Sequence, residues 1–326
     1  MYNLITIGDA VLDTHVIIKD ALLEKNQTSD SKLCLEYGGK IPIEDSFQSL
    51  GGNSANVAVG AVKLGLKTAI VSSLGEDSNG KLIMDELEKQ KVDADLVYTD
   101  PKNKTRYSIV LNFKGERTIL SYHQKRKYLW PSEIPETDWI YYTSLSEGFE
   151  PMQDKLLSFL NKHKTVRLAY NPGSFQLKYA LDEVKEVLPH VEMLILNLEE
   201  AEIVAGTTLE KEKNVPAIIH KLLLTGVKEV ALTDGKNGAW AGNEEEIWQL
   251  DSFPVEVVAK TGAGDAFASA YLAAKIYGQD IRTALRWGIA NSCSVITSHG
   301  SQKTLLDKNG IKKMLAKYSK IIPQKI

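Results

Sequence analysis

From about residue 137 onward, short apolar runs alternate with stretches of helical periodicity. The apolar runs predict strands at Trp139–Tyr142, Val166–Tyr170, Met193–Leu196 and Glu229–Thr233. The periodic stretches predict helices between them at Met152–Leu160, Leu198–Ala205 and Val215–Leu224. Such alternation indicates βαβ units, and therefore an α/β fold with a mostly parallel sheet and helices on both faces. Three more helical patterns close the chain, at Ala263–Ile276, Ile281–Ile296 and Ile311–Tyr318.

The N-terminal third has a different pattern, because residues 14–50 and 104–122 alternate apolar and polar positions. Residues 106–113 alternate, Gly115 interrupts them, and Thr118–Tyr122 resumes the pattern, which predicts a hairpin of half-buried strands. With Cys34–Phe47, these strands would form a small separate sheet. Since a small sheet must cover its apolar face, we expect a lid over the active site that also pairs with a second subunit.

Composition and charge narrow the class of protein. The 326 residues are 43% hydrophobic and 25% charged, as in ordinary globular proteins, and fit one large α/β domain with an appendage. A net charge of −3 without a large basic block argues against a nucleic-acid partner. Cys34 and Cys293 lack metal-ligand spacing, and no apolar run approaches membrane-spanning length. The N-terminus lacks the pattern of a signal peptide, so a cytoplasmic protein is expected.

A glycine-rich turn precedes one of the helical patterns. It reads Thr261-Gly262-Ala263-Gly264-Asp265. Glycines leave backbone N–H groups accessible, and at the start of a helix these groups have no internal partner and favour negative charge. A phosphate group would fit there, and Asp265 would be placed to deprotonate an attacking hydroxyl. Ordinary helix capping by Thr261 or Asp265 is the alternative.

A second glycine pair, Gly51-Gly52, also precedes a helical stretch. Asn53 and Asn56 are three residues apart, so their amides share one helix face. Because an amide both donates and accepts hydrogen bonds, this pair suits the recognition of substrate hydroxyls. An asparagine cap followed by a surface residue is the alternative.

Polar residues follow several predicted strands, at the edge where open α/β sheets bind ligands. Asp13 follows the first strand, where it could accept hydrogen bonds from two sugar hydroxyls. Asn197 and Glu200 follow Met193–Leu196, where oxygen ligands could hold Mg²⁺ through water, or could simply form a capping box. The turn Thr233–Gly238 could bind a nucleotide or lead into a hairpin.

Together these motifs resemble the ribokinase (phosphofructokinase-B) family of sugar and nucleoside kinases. The resemblance covers nearly the whole chain in order, and includes a late stretch, Ala290–Gly300, that is similar to the helix and loop bordering the nucleotide base. It implies a three-layer αβα sandwich over residues 1–326, with a β-sheet lid that often forms a dimer interface. It also implies transfer of the ATP γ-phosphoryl group to an alcohol, usually a primary one, with Mg²⁺.

The resemblance assigns roles to individual residues. The general base is Asp265, and the anion hole is formed by the amides of Gly262, Ala263 and Gly264. The substrate contacts are Asp13, Gly51, Gly52, Asn53 and Asn56, with Asn112 of the lid as a further candidate. The nucleotide contacts are Asn197, Thr233, Gly235, Gly238, Asn291 and Gly300. Glu200 orders Mg²⁺ through water.

The chain departs from the family pattern just before the glycine turn. Many members read Asp-Thr-Thr-Gly-Ala-Gly-Asp, in which the first Asp helps to hold K⁺. Here Ala259-Lys260-Thr261 occupies those positions, and alanine cannot ligate a cation. We therefore expect no K⁺ activation, and hypothesise that the Lys260 ammonium supplies the missing charge near the anion hole. A lysine that points into solvent is the alternative.

These observations favour a kinase acting on a small sugar such as ribose or fructose. A nucleoside kinase with the same mechanism is the alternative within the family. A catalytically silent nucleotide or sugar sensor would keep the fold, but the intact Asp265 and glycine turn speak against it. A dinucleotide-dependent dehydrogenase is disfavoured because Phe267 occupies the third glycine position of its fingerprint.

Overall fold

A computed structural model gives the fold and describes residues 1–25, 31–114, 116–122 and 126–326. The strands in chain order are β1 (Tyr2–Ile7), β2 (Val11–Ile18), β3 (Leu22–Lys25), β4 (Ser31–Cys34), β5 (Ile43–Gly51), β6 (Thr68–Gly75), β7 (Val97–Asp100), β8 (Tyr107–Phe113), β9 (Glu116–Tyr122), β10 (Thr137–Thr143), β11 (Arg167–Asn171), β12 (Met193–Asn197), β13 (Glu229–Thr233), β14 (Ala239–Gly242), β15 (Ile247–Leu250) and β16 (Gln324–Lys325). The helices are α1 (Asn53–Lys63), α2 (Ser78–Lys89), α3 (Glu150–Lys162), α4 (Ser174–Tyr179), α5 (Leu181–Val187), α6 (Leu198–Ala205), α7 (Leu209–Glu212), α8 (Val215–Leu223), α9 (Ala263–Ile276), α10 (Ile281–Val295) and α11 (Lys308–Lys317).

The main sheet is the large mostly parallel sheet that the sequence predicts. Its order is β16-β15-β14-β13-β12-β11-β10-β1-β6-β7. Every pairing from β13 to β7 is parallel, and β14, β15 and β16 add an antiparallel edge. Every residue of β6 is buried, as expected for a central strand with helices on both faces of the sheet. The carboxyl ends of the parallel strands therefore meet at one edge of the sheet.

Helices pack on both faces of the main sheet, which confirms the α/β fold. One core holds Leu156 of α3, Ala201 of α6 and Ile218 of α8 against the sheet. The other core holds Val57 of α1 and the buried side chains of α9 and α10. Helices α1 and α9 are thereby placed side by side, with their N-termini toward the carboxyl edge of the sheet.

A second, small sheet has the order β5-β2-β8-β9. Strands β8 and β9 lie within the predicted stretch 104–122, whereas β2 begins before, and β5 ends after, the predicted stretch 14–50. Strand β2 pairs with β5 antiparallel and with β8 parallel, and β8 pairs with β9 antiparallel. Cys34 is not in this sheet, because β4 pairs with β3 in a separate hairpin. Gly115, predicted to interrupt the hairpin of β8 and β9, lies outside the described residues.

Candidate active site

A cleft of about 830 Å³ lies between the small sheet and the carboxyl edge of the main sheet. Most of the residues singled out in the sequence line it. These are Asp13, Gly52, Asn53, Asn56, Asn197, Glu200, Thr233, Lys260, Thr261, Gly262, Ala263, Gly264 and Asp265. Ser146 and Glu147, at the end of β10, line it as well. The fold thus brings residues from distant parts of the chain to one site.

Two helices start at the cleft without a side-chain cap. Helix α1 follows Gly52 (φ 91°) and α9 follows Gly262 (φ 78°), both in the left-handed region that favours glycine. A Cβ at Gly52 would also overlap the Asp9 carbonyl oxygen. At Gly264 a Cβ would meet no atom within 4 Å. Thr261 and Asp265 do not cap α9, and the Ala263 N–H makes only a long 3.4 Å bond to the Lys260 carbonyl, so the start of the helix can accept an anion.

Asp265 lies in the first turn of α9 and is held by one neighbour. The Asn56 Nδ2 group donates a hydrogen bond to Asp265 Oδ2 over 2.7 Å. Burial raises the pKa of Asp265 to about 7, with smaller upward contributions from Glu200 and Asp13, while the Asn56 hydrogen bond lowers it. A carboxyl group with a pKa near 7 is suited to exchanging protons at neutral pH.

Asp13, which was predicted to follow the first strand, lies within the next strand, β2. Burial raises the pKa of Asp13 to about 6, and a hydrogen bond with Ser108 of β8 lowers it. Gly51, which does not line the cleft, pairs with Val11 across β2 and β5, and a Cβ there would overlap the Asp13 carboxylate. Gly51 therefore makes room for Asp13.

Asn197 and Glu200 form the capping box considered from the sequence. Asn197 Oδ1 accepts from the Glu200 N–H at 2.8 Å, and Glu200 Oε2 accepts from the Asn197 N–H at 3.0 Å. Both also line the cleft, and burial raises the pKa of Glu200. Capping therefore leaves the second Glu200 oxygen available to a ligand.

The other nucleotide candidates lie outside the lining of the cleft. Gly235 and Gly238 form the hairpin turn between β13 and β14, and only Thr233 at the strand end lines the cleft. Gly300 is buried away from the lining. Asn291 is fully buried in α10, where its Nδ2 donates to the Ala266 carbonyl and its Oδ1 accepts from Leu306 N–H.

Asn112, the predicted contact on β8, is not brought to the cleft either. Its Nδ2 donates to the carbonyls of Val110 at 3.0 Å and Val16 at 3.4 Å. Ser108, four residues earlier on the same strand, lines the cleft instead. The structure thus gives Asn112 a role within the small sheet.

Lys260 lines the cleft and bridges to the small sheet. Its Nζ lies 2.7 Å from Glu116 Oε1 at the start of β9, and both side chains are exposed. Ala259 is buried, and its N–H donates to the Ile296 carbonyl. The ammonium group that was proposed to replace a bound cation is therefore ion-paired to a carboxylate of the small sheet.

Several lining residues were not singled out in the sequence. They include Arg106, Arg117, Asn171 and Lys178. Asn171 ends β11 as Asn197 ends β12, so the same strand-end rule would have found it. The Arg106 guanidinium forms a buried ion pair with Asp9, which no local pattern signals.

The fold and this cleft define a phosphotransferase of the ribokinase-like class. The chain belongs to the pfkB family of carbohydrate kinases, because the family model described as "pfkB family carbohydrate kinase" matches residues 30–309. An ATP-dependent 6-phosphofructokinase of Thermoanaerobacterium thermosaccharolyticum is 24% identical, over 96% of this chain and 94% of that protein. A 5-dehydro-2-deoxygluconokinase of Bacillus subtilis is also 24% identical, over 96% of each chain.

Solved structures agree on the fold. Arabidopsis thaliana ribokinase complexed with ribose and ATP superposes with a TM-score of 0.79 at 22% identity, over 96% of this chain and 98% of that one. The nucleoside kinase of Methanocaldococcus jannaschii gives a TM-score of 0.75 at 19% identity, over 97% and 99%. Within the described residues, no helix has the length and apolar character needed to cross a membrane.

Proposed function

We propose that the protein transfers the γ-phosphoryl group of ATP to a primary hydroxyl of a small sugar such as ribose or fructose. One observation carries this proposal: a carboxyl group with a raised pKa lies beside the uncapped N-terminus of α9 in a large cleft. Phosphoryl transfer requires positioning and charge stabilisation more than covalent catalysis, and this arrangement offers both.

Each part of the site has a role in this reaction. Asp265 accepts the proton of the attacking hydroxyl as its oxygen bonds to the γ-phosphorus, and the bond from that phosphorus to the bridging oxygen breaks to release ADP. The amides of residues 262–264 face the charge that develops on the transferred group. Asp13 accepts hydrogen bonds from other hydroxyls of the sugar, and Gly52, Asn53 and Asn56 line the same end of the cleft.

Mg²⁺ would accompany the nucleotide, and Glu200 would hold it. Magnesium in kinases is bound by one or two carboxylates together with substrate phosphates and water. Glu200 lines the cleft with one carboxylate oxygen outside its capping box. The described residues contain no group of three His, Cys, Asp or Glu that could hold a metal. A site completed by phosphates and water fits this sparse donor set.

The acceptor can be determined directly. The relatives are named for a phosphorylated fructose and for a deoxygluconate, whereas the fold is shared with a nucleoside kinase. We would measure ADP release with MgATP on pentoses, hexoses, hexose phosphates, keto-deoxy acids and nucleosides. Turnover on a sugar is expected. Turnover on nucleosides alone would favour the nucleoside kinase, and ATP binding without turnover would favour a sensor.

Lys260 is proposed to replace a monovalent cation near the anion hole. Wild-type activity should not change when KCl replaces choline chloride at constant ionic strength. Lys260→Ala should lower kcat about 1.4- to fivefold, because one exposed charge contributes about 0.2–1 kcal/mol. Lys312→Ala, on the distant helix α11, is the matched control. Strong K⁺ activation of the wild type would refute the role of Lys260.

The small sheet is proposed to act as a lid and to pair with a second copy of the chain. On its face away from the cleft, Tyr107 is 37% and Leu120 53% exposed. Covering such apolar groups would stabilise a dimer. Sedimentation velocity should find a dimer that Leu120→Lys converts to monomer. Leu224→Lys, at an 87% exposed position after α8, should leave it intact. A wild-type monomer at micromolar concentration would contradict this.

A further inference from the structure

A loop after α10 fixes the orientation of the Asn56 side chain. Asn56 Oδ1 accepts two hydrogen bonds, from Ser301 Oγ at 2.9 Å and from Gln302 Nε2 at 2.8 Å. Asn56 and Ser301 are buried, with 6% and 2% of their surfaces exposed. Because both groups donate to the amide oxygen, the Asn56 NH₂ group is turned to the other side, where it faces Asp265.

This orientation determines what Asp265 can do. An amide turned the other way would place its oxygen against the carboxylate and repel the ionised form. With Nδ2 donating to Asp265 Oδ2, one carboxylate oxygen is held and the ionised form is favoured. The other oxygen is left for a substrate hydroxyl.

The same loop supports the anion hole. A Cβ at Gly262 would overlap Ser301, so the backbone of the glycine turn lies directly on this residue. The loop is attached to α1 as well, because Lys63 Nζ donates to the Gln302 carbonyl at 3.4 Å. Residues 301 and 302 thus contact both the turn that would bind phosphate and the neighbour of the base.

We propose that Ser301 and Gln302 are positioning residues for phosphoryl transfer, which act by holding the Asn56 amide toward Asp265. The inference rests on the proposed role of Asp265 as general base. Neither residue lines the cleft, so both act through Asn56 rather than on substrate. The ionisable groups that interact with Asp265 are Glu200 from α6, Asp13 from β2 and Tyr141 from β10. None of them is altered by substitutions at 301 or 302.

The test is a pair of variants, Gln302→Met and Gln302→Met with Ser301→Ala, which keep side-chain volume and remove the donors. Without these donors the Asn56 amide is no longer held toward Asp265. Losing the charge-assisted hydrogen bond from Asn56 should raise the pKa of Asp265 by about one unit. Carboxyl ¹³C NMR of aspartate-labelled protein measures this without substrate, and the Asp265→Asn variant assigns the resonance. Ser298→Ala is the matched control, since its hydroxyl lies in the same loop and donates to the His299 carbonyl.

Activity gives a second readout. For a shift of one unit, kcat/KM for the acceptor at pH 7 should fall about fivefold, and should recover above about pH 9. The KM for MgATP should stay unchanged, and thermal midpoints identify any general loss of structure. If the variants shift the Asp265 titration but the wild type has no kinase activity, the positioning of Asp265 is supported and the proposed function is rejected. Unchanged titration and unchanged pH profiles in both variants would overturn the inference.

Discussion

Asp265→Asn is expected to lower kcat by about 10²- to 10⁴-fold, the range for removal of a general base. Asparagine has the same shape and can still hydrogen-bond to Asn56, but it cannot accept the proton of the attacking hydroxyl. The KM for MgATP should change little, because the amides of α9 remain. The measurement is ADP release at saturating acceptor, with Asp182→Asn, a 96% exposed carboxylate, as the control. Activity within threefold of wild type would exclude Asp265 as the base.

The same substitution should stabilise the fold at alkaline pH. The pKa of Asp265 is about 7 in the folded protein and 3.8 when unperturbed, so the folded state binds the proton more tightly. Its contribution to stability is fully present below pH 3.8 and is lost as the pH rises through 7. Asparagine has no charge to bury. The variant should therefore melt higher than wild type at pH 8, and by a smaller margin at pH 5. An equal difference at both pH values would contradict the raised pKa.

The sequence predicted the strands around the site well, because strands buried on both faces contain short apolar runs. The runs at Met193–Leu196 and Glu229–Thr233 lie within β12 and β13. The short helices α4 and α5 were not predicted, since six or seven residues hold too few turns to show a periodicity. The cleft was predictable where a glycine precedes a helix, because the local sequence alone creates accessible amides.

Residues whose place depends on distant contacts lie outside the cleft lining or were not singled out in the sequence. The alternating pattern of β8 places Asn112 on the same face as Ser108. The pattern does not show which residue along that face reaches the cleft. The Asn291 amide forms hydrogen bonds with Ala266 of α9 and with Leu306 after α10. Helical periodicity does not predict such contacts between distant segments. Ser301 and Gln302 form hydrogen bonds with Asn56, which lies about 245 residues earlier in the sequence, so no local pattern could have identified them.

Arg106 provides the second large expected effect, this time on stability. It immediately precedes β8 and forms an ion pair with Asp9, which follows β1; their exposed fractions are 8% and 3%. Arg106 Nη1 also donates to Ser146 Oγ at 3.2 Å, and Tyr128 OH donates to Asp9 Oδ1 at 3.2 Å. The pair thus connects the small sheet to the main sheet at the cleft, which Arg106 and Asp13 both line.

Arg106→Met should lower the free energy of unfolding by about 3–5 kcal/mol, because it leaves the Asp9 charge buried without its partner. Urea unfolding measures the loss, and Arg117→Met, an exposed arginine of the same sheet, should cost less than about 0.5 kcal/mol. Asp9→Asn combined with Arg106→Met should recover part of the loss, since no uncompensated charge then remains. If the double variant is as unstable as Arg106→Met, the loss of stability comes from lost packing of the arginine side chain and not from the buried carboxylate.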